Sequence, residues 1–289
     1  MVEIIELARA HNLDIDPASL TIIEMGLDFR VVLATAVDGR KWVLRVPRYP
    51  SVMQRAASEA AVLRVVARHL DVEVPNWQIH TPELIAYPLL TGIPGVELNE
   101  QGEAIWNVDV SSPAYVDSLA RVIAQIHAIP AEAVDLAHHT PAQVRENWRA
   151  DIDRVATHFT VADALLSRWQ AWIDDASYWP EHTVFTHGEI YAGHTLVDNS
   201  RITGVIDWTT ASITDPARDL MMQQMSGTAE SFERLLQGYV EYGGQIWPRV
   251  REHCRELTAA APLGFALYAL EVDNFELMET ATQLLNPSE

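Results

Sequence analysis

Cysteine is nearly absent: Cys254 is the one example in 289 residues, so no internal disulfide can form, which fits a reducing compartment. Cations are scarce too. Twenty lysines and arginines stand against 40 aspartates and glutamates, a formal net charge of -20. So acidic a chain repels nucleic acid and anionic membrane surfaces and attracts cationic ligands. No apolar run has the length to span a bilayer, and Met1-Val2-Glu3-Ile4-Ile5-Glu6 is acidic where a secretory signal requires basic residues. Repeats and low-complexity tracts are also missing. A cytoplasmic protein with no nucleic-acid or membrane partner is expected. Its 48% hydrophobic content over this length suffices for a full core, divided between two lobes.

The first part of the chain reads as a short amphipathic helix (residues 4–10) and then a β-meander. Strand patterns cover 20–25, 29–37 and 41–46, with a loop at Gly26 and a hairpin turn at Asp38-Gly39. Residues 51–70 follow with Ala56, Ala60, Leu63, Ala67 and Leu70 at helical spacing, and Glu59 lies beside that face, within reach of Arg45 on the preceding strand. In kinase-like folds a strand-borne cation meets the nucleotide phosphates and a helix-borne glutamate positions it. The strand at 84–90 then runs into the breaker-rich Thr91-Gly92-Ile93-Pro94-Gly95. We read a boundary there, with a linker at about 88–95 dividing residues 1–90 from 91–289.

Beyond the linker the pattern is mostly helical. Ser112-Pro113 opens a helix that ends near Ile129-Pro130, and further helices are expected at 141–159, 162–176, 216–226, 231–242, 248–263 and 265–285, with Gly243-Gly244 closing one of them. Residues 184–208 interrupt this series with three short β-rich runs (184–186, 195–197, 204–206). The turns between those runs carry His187, Glu189, His194 and Asp207. Phosphoryl transfer needs a carboxylate to accept the proton of an attacking hydroxyl, ligands for a metal on the triphosphate, and cations to absorb charge. The protein-kinase template meets these needs with an aspartate base, a metal ligand five residues on and a second aspartate after a short hairpin. Glu189, His194 and Asp207 follow that order and spacing. His187 reads as a loop-forming residue.

The chain resembles the macrolide 2′-phosphotransferases, a branch of the aminoglycoside-phosphotransferase-like small-molecule kinases. The resemblance is carried by Gly26-Leu27-Asp28-Phe29, Trp42-Val43-Leu44-Arg45-Val46-Pro47-Arg48, Glu83-Leu84-Ile85-Ala86-Tyr87-Pro88-Leu89-Leu90, His187-Gly188-Glu189-Ile190-Tyr191-Ala192-Gly193-His194, Gly204-Val205-Ile206-Asp207-Trp208 and Asp215-Pro216-Ala217-Arg218-Asp219. The histidine ending the fourth motif is specific, since most relatives of the wider class have asparagine there. The resemblance implies an α+β, bilobal protein-kinase-like fold: an N-terminal β-meander lobe plus helix, then a mainly helical C-terminal lobe with a short catalytic β-hairpin region. It further implies GTP as donor, with ATP as the alternative, magnesium, and transfer to the 2′-hydroxyl of a macrolide's desosamine, an inactivation that confers resistance. Residue by residue, Gly26, Arg45 and Glu59 would manage the phosphates, Tyr87, Pro88, Leu89 and Leu90 the base, and His194 and Asp207 the metal. Glu189 would be the catalytic base.

An apolar acceptor with a dimethylamino cation calls for apolar residues near carboxylates, a mixture that Met222, Met225, Phe265, Tyr268 and Glu271 offer. A monomer is expected. The family pattern is usually His-Gly-Asp, whereas here it is His-Gly-Glu. The extra methylene matters, because a misplacement of about 1 Å costs roughly a hundredfold in rate. Two alternatives stay open: a kinase for another small hydroxyl compound, such as an aminoglycoside or amino alcohol, and a non-catalytic pseudokinase that binds nucleotide or macrolide.

Overall fold

The structure is a computed structural model and describes residues 2–24, 28–49, 52–99 and 101–287. Gly26, expected near the phosphates, lies outside the described residues. In chain order come helix α1 (Val2–Ala10), strands β1 (Thr21–Ile23), β2 (Phe29–Thr35) and β3 (Lys41–Pro47), helix α2 (Val52–Val66), and strands β4 (Ile79–His80), β5 (Ile85–Pro88), β6 (Ile93–Pro94), β7 (Val96–Leu98) and β8 (Ala104–Trp106). Helices α3 (Pro113–His127), α4 (Pro141–His158) and α5 (Asp163–Asp174) precede strands β9 (Val184–Thr186), β10 (Thr195–Asp198), β11 (Arg201–Val205) and β12 (Ser212–Thr214). The chain closes with helices α6 (Ala217–Ser226), α7 (Ala229–Glu241), α8 (Val250–Ala259), α9 (Ala261–Val272) and α10 (Phe275–Leu285). Among the described residues no helix is long and apolar enough to cross a membrane.

By internal contacts the chain forms two compact units, one of Met1–Asp109, Ala133–Asp135 and Ala192–Ala211, the other of Val110–Glu132, Leu136–Tyr191 and Ser212–Glu289. In the first unit an antiparallel sheet has the order β1-β2-β3-β5-β4. Side chains alternate across a strand, so each residue's parity decides its face. Trp42, Leu44, Leu84 and Ala86 join Ile4 and Ala8 of α1 on one side. Val43, Ile85 and Tyr87 join Phe29 and α2's Val52 and Ala56 on the other. Arg45 shares the parity of Val43 and so points to the α2 side, opposite Ile85 of β5. On α2, Val52, Ala56, Glu59, Leu63 and Val66 form one buried stripe at spacings of four and three, with a single carboxylate inside it.

The connector expected at 88–95 is more ordered than a linker. Its Ile93-Pro94 forms β6 and pairs with β10, giving a sheet of order β11-β10-β6. Proline is tolerated because β6 is the edge. Gly92 has φ +99, and a Cβ there would lie 2.5 Å from Thr203 Oγ1 and 2.9 Å from the Val197 carbonyl. Glycine therefore permits both the left-handed conformation and the close approach. Glu73 ties the same corner: its carboxylate accepts from Thr91 N at 2.7 Å and Thr91 Oγ1 at 3.0 Å. The β10–β11 hairpin turns at Asn199 (φ 48) and Ser200 (φ 61), the two positive φ values of a type I′ turn.

The β-rich stretch 184–208 is not one sheet. Strand β9 pairs with β12, which the sequence pattern did not suggest, and both belong to the second unit. Helix α3 is buried nearly all round, with Tyr115, Val116, Leu119, Ile123 and Ile126 in the core. Trp169 and Trp172 of α5, Phe185, Leu220 and Leu235 are also buried within this unit. Two helix boundaries differ from the pattern. The helix read at 248–263 stops at Ala259, because Pro262 cannot donate within a continuing helix and instead occupies the first turn of α9. The helix read at 265–285 breaks where Asp273 turns left-handed (φ 52) and Asn274 caps α10 by accepting from Leu277 N at 3.1 Å.

Candidate active site

In the first unit, Arg45 and Glu59 meet as the spacing predicts. Arg45 Nη1 donates to both oxygens of Glu59 at 2.9 and 3.0 Å, and the Glu59 side chain is fully buried. The guanidinium also lies over the Phe29 ring, 4.1 Å from its centroid. Burial pushes Glu59 above the ordinary carboxyl range, although Arg45 and the Trp208 backbone N–H, which donates to it, both oppose the shift. Burial works against the charge on Arg45, but Glu59, Tyr87 and Asp207 around it prevail and hold its pKa above the usual value. Burial pushes the Tyr87 phenol up to about 12. One local field thus couples Arg45, Glu59, Tyr87 and Asp207.

Asp207 stands at the end of the hairpin with φ 62 and ψ 70. That left-handed conformation is uncommon outside glycine, and aspartate is among the residues that tolerate it. Its Oδ1 accepts from Thr209 Oγ1 at 2.6 Å, and its Oδ2 lies 3.6 Å from His194 Nε2. Among the described residues no group of three or more His, Cys, Asp or Glu side chains is arranged around a common metal position. The chain offers one carboxylate and one imidazole here: the carboxylate suits a magnesium ion, whereas the imidazole suits softer divalent ions better.

The strand expected to meet a base is in register with β3: Tyr87 is opposite Val43, Pro88 is opposite Trp42, and Leu89 N donates to the Lys41 carbonyl at 2.9 Å. On its other side β5 pairs with β4 only as far as Ala86. Tyr87 is buried, Pro88 and Leu90 are partly buried, and Leu89 is 39% exposed.

In the second unit, Glu189 sits exposed between buried Gly188 and Ile190. The buried His187 ring accepts from Glu189 N at 3.3 Å through Nδ1, as befits a loop-forming residue. Gly188 has φ 89, which frees two successive backbone N–H groups to converge on Asp219. His187 N donates to Asp219 Oδ2 at 2.8 Å and Gly188 N to Asp219 Oδ1 at 2.7 Å. Asp219 belongs to a motif noted in the sequence, yet no role attached to it there. Its burial alone would raise its pKa, but the His127 ring and the charge and backbone of His187 hold it below the ordinary value.

His127 Nε2 lies 3.1 Å from Asp219 Oδ2, and Nδ1 lies 2.7 Å from Tyr239 Oη. Tyr239 also accepts a backbone N–H from Gln245. A parallel chain stands four residues earlier. Trp172 Nε1, a donor only, gives its proton to His253 Nδ1 at 3.0 Å, and His253 Nε2 meets Asp215 Oδ2 at 2.5 Å. Asp215 Oδ1 also accepts from Ala217 N at the start of α6. Two buried carboxylates one turn apart are each paired with a histidine whose other ring nitrogen meets an aromatic side chain. Burial pushes the Cys254 thiol far up, which suits a core residue rather than a nucleophile.

The expected acceptor residues lie on two helices of this unit. Met222 is partly buried and Met225 is 54% exposed on α6, while Phe265, Tyr268 and Glu271 lie along the outward side of α9, away from buried Leu263, Ala266 and Ala269. Helix α8 packs against both α6 and α9. A wide groove elsewhere in the unit, bordered by Ser111, Thr228, Glu233, Gln237 and Arg251, includes none of the five.

A buried strand arginine paired to a helix glutamate, a carboxylate after a His-Gly turn and a second carboxylate after a hairpin are the parts of a kinase-like phosphotransferase. Residues 19–253 match the phosphotransferase enzyme family (APH), and the chain belongs to that family. It is similar to the macrolide 2′-phosphotransferase MphH from Brachybacterium faecium, 50% identical, with a TM-score of 0.96 over 99% of this chain and 98% of that one. A second solved structure, macrolide 2′-phosphotransferase type I, is 37% identical, with a TM-score of 0.92 over 100% of this chain and 97% of the other. The uncharacterized protein YcbJ of Bacillus subtilis (strain 168) is 37% identical over 99% of this chain and 95% of its own length. An aminoglycoside phosphotransferase solved with GDP and kanamycin, 16% identical, shares the kinase-like α+β fold at a TM-score of 0.78.

Proposed function

We propose that the chain transfers the γ-phosphate of GTP to the 2′-hydroxyl of the desosamine sugar of macrolide antibiotics, with ATP as a poorer donor. The observation that carries this reading is the 50% identity, over nearly the whole of both chains, to a protein solved as a macrolide 2′-phosphotransferase. In this reading residues 1–90 bind the nucleotide, and residues 91–289 carry the catalytic and acceptor-binding side chains. Arg45 takes a phosphate oxygen, and Glu59 fixes its guanidinium from within the core. The backbone of Tyr87 to Leu90 holds the purine edge. Asp207 and His194 would hold a magnesium ion, which supplies positive charge beside the phosphates when bound.

Glu189 accepts the proton of the attacking hydroxyl. Its exposure supports that role, since a base must reach a proton on a substrate that arrives from solvent. The macrolide's dimethylamino cation is complemented by Glu271 beside Phe265 and Tyr268, and by the overall charge of -20. The same reading makes the protein a monomeric cytoplasmic enzyme that confers resistance by inactivating the drug.

The test is a set of initial rates with GTP and ATP against a panel of macrolides, aminoglycosides and amino alcohols. Macrolide-dependent turnover that is faster with GTP supports the proposal. Tight GTP binding with no macrolide turned over sinks it in favour of a pseudokinase, and turnover confined to another hydroxyl compound sinks the choice of acceptor.

A further inference from the structure

We propose that Phe29 and Trp77 are positioning residues for the proposed phosphate contact: they form an aromatic seat that sets the plane of the Arg45 guanidinium, and so require arginine where kinase-like folds carry lysine. This rests on the reading of Arg45 as the cation that meets the nucleotide. Glu59 by itself leaves that plane unset. Both of its oxygens accept from the same atom, Nη1, at 2.9 and 3.0 Å, so the pair fixes where that nitrogen sits and lets the group turn about it. A forked pair, with two nitrogens on two oxygens, would have held the plane as well. The rings supply the second restraint. Arg45 Cζ lies over the Phe29 ring, 4.1 Å from its centroid, and over the Trp77 ring at 5.6 Å, both within reach of a cation–π contact.

Strand register puts Phe29 in place. Val31 is opposite Arg45 and Phe29 is opposite Pro47, so Phe29 is the diagonal neighbour of Arg45 on the α2 side of the sheet, within reach of a long side chain. Trp77 arrives from the other edge. Gln78 N donates to the Ala86 carbonyl at 2.9 Å as β4 begins to pair with β5, and the indole just before it packs against the cluster of Phe29, Val43 and Tyr87. Its Nε1 is buried and has no hydrogen-bond partner among the described residues. A buried indole N–H ordinarily finds one, so what Trp77 contributes here is its ring, which also meets His80 edge to face at 5.0 Å between centroids. A lysine could not use this seat: its ammonium is a strongly hydrated point charge, whereas a guanidinium is planar, stacks on aromatic faces and sheds water more readily. The Arg45 side chain keeps 12% of its surface exposed. Nε and Nη2 carry no bond to Glu59, and the seat determines the direction in which they present their protons.

The experiment is a double-mutant cycle in the full-length protein. GTP affinity is measured by calorimetry, KM values by steady-state kinetics with a macrolide, and unfolding midpoints in denaturant without nucleotide. The variants are Phe29→Leu, Trp77→Leu, Trp77→Phe, Arg45→Lys and Arg45→Met, together with Arg45→Lys in the background that carries both leucines. Phe29→Leu and Trp77→Leu keep an apolar side chain and remove the ring; each should weaken GTP binding about threefold and leave KM for the macrolide within about twofold. Trp77→Phe should restore most of the affinity. Arg45→Lys should cost about tenfold with both rings present and less than about threefold without them, a coupling that lost packing alone does not produce. The proposal is overturned if Arg45→Lys costs the same in both backgrounds or if Trp77→Phe loses as much as Trp77→Leu. It is overturned too if both KM values rise together in step with a lower unfolding midpoint. Full GTP affinity in Arg45→Met would instead remove Arg45 from the phosphates. The same cycle read in the unfolding midpoints then decides separately whether the rings hold the guanidinium, and additive midpoints would overturn the seat itself.

Discussion

His194 Nε2 stands 3.6 Å from Asp207 Oδ2, beyond hydrogen-bonding distance and close enough for both to bind one cation. Imidazole favours softer divalent ions than carboxylate does. His194→Asn is therefore expected to raise kcat/KM with magnesium relative to manganese by about tenfold, because an oxygen replaces a nitrogen donor. Rates measured with each metal alone check this, and an unchanged ratio would remove His194 from the metal.

The Arg45–Glu59 pair is expected to matter for stability and for nucleotide binding in separable ways. Arg45→Ala or Glu59→Ala strands a buried charge, and each should cost about 3–5 kcal/mol in chemical denaturation. The double variant Arg45→Met, Glu59→Leu should regain most of that stability and still fail to bind GTP. Tight GTP binding by the double variant would contradict the phosphate role of Arg45.

Glu189→Gln should lower kcat by about 10²–10⁴-fold with little change in melting temperature, since the side chain is exposed and a general base contributes about that much. Glu189→Asp should also lose rate, because the loop held by Asp219 sets the reach of the longer side chain. A large gain in rate would instead mark Glu189 as an impaired substitute for aspartate.

Acid stability should depend on Asp219. Its carboxyl titrates below the ordinary 3.8, held down by His127 and the His187 backbone against the effect of burial. Between that lowered value and 3.8 the unfolded chain takes up a proton before the folded one does, so the stabilisation is complete above 3.8 and disappears as pH falls through the folded value. Denaturation midpoints followed from about pH 5 to about pH 2 should show a smaller decline for Asp219→Asn than for the wild type. An identical decline in both would contradict the assignment.

Local patterns carried much of the fold. The period of two in β2 and β3, the Asp38-Gly39 turn and the helical spacing of α2 were all readable, and together they placed Arg45 and Glu59 on facing elements. Short-range order also placed Glu189, His194 and Asp207 in turns. The pairing within the connector had no signal in the sequence: Gly92, Pro94 and Gly95 suggest a break, whereas glycine here serves close approach to β10 and proline sits at a sheet edge. The last helix was read as continuous because apolar periodicity survives across Asp273-Asn274, although asparagine before an apolar run is itself a cap signal. His127, Asp219 and Tyr239 had no such signal. They lie 92 and 112 residues apart as contacting pairs, and only tertiary packing brings them to one buried cluster.

The turn that ends α7 follows from the same cluster. Tyr242 closes the helix, Gly243 takes φ 96, and Gly244 N returns to the Tyr239 carbonyl at 2.8 Å, a Schellman arrangement in which the second glycine lies beneath an aromatic ring. A loss-of-function screen with drug sensitivity as its readout should therefore recover substitutions at Gly244. A sequence-only survey of candidate active positions would pass over it, because the residue bears no functional group and owes its importance to the space it leaves empty.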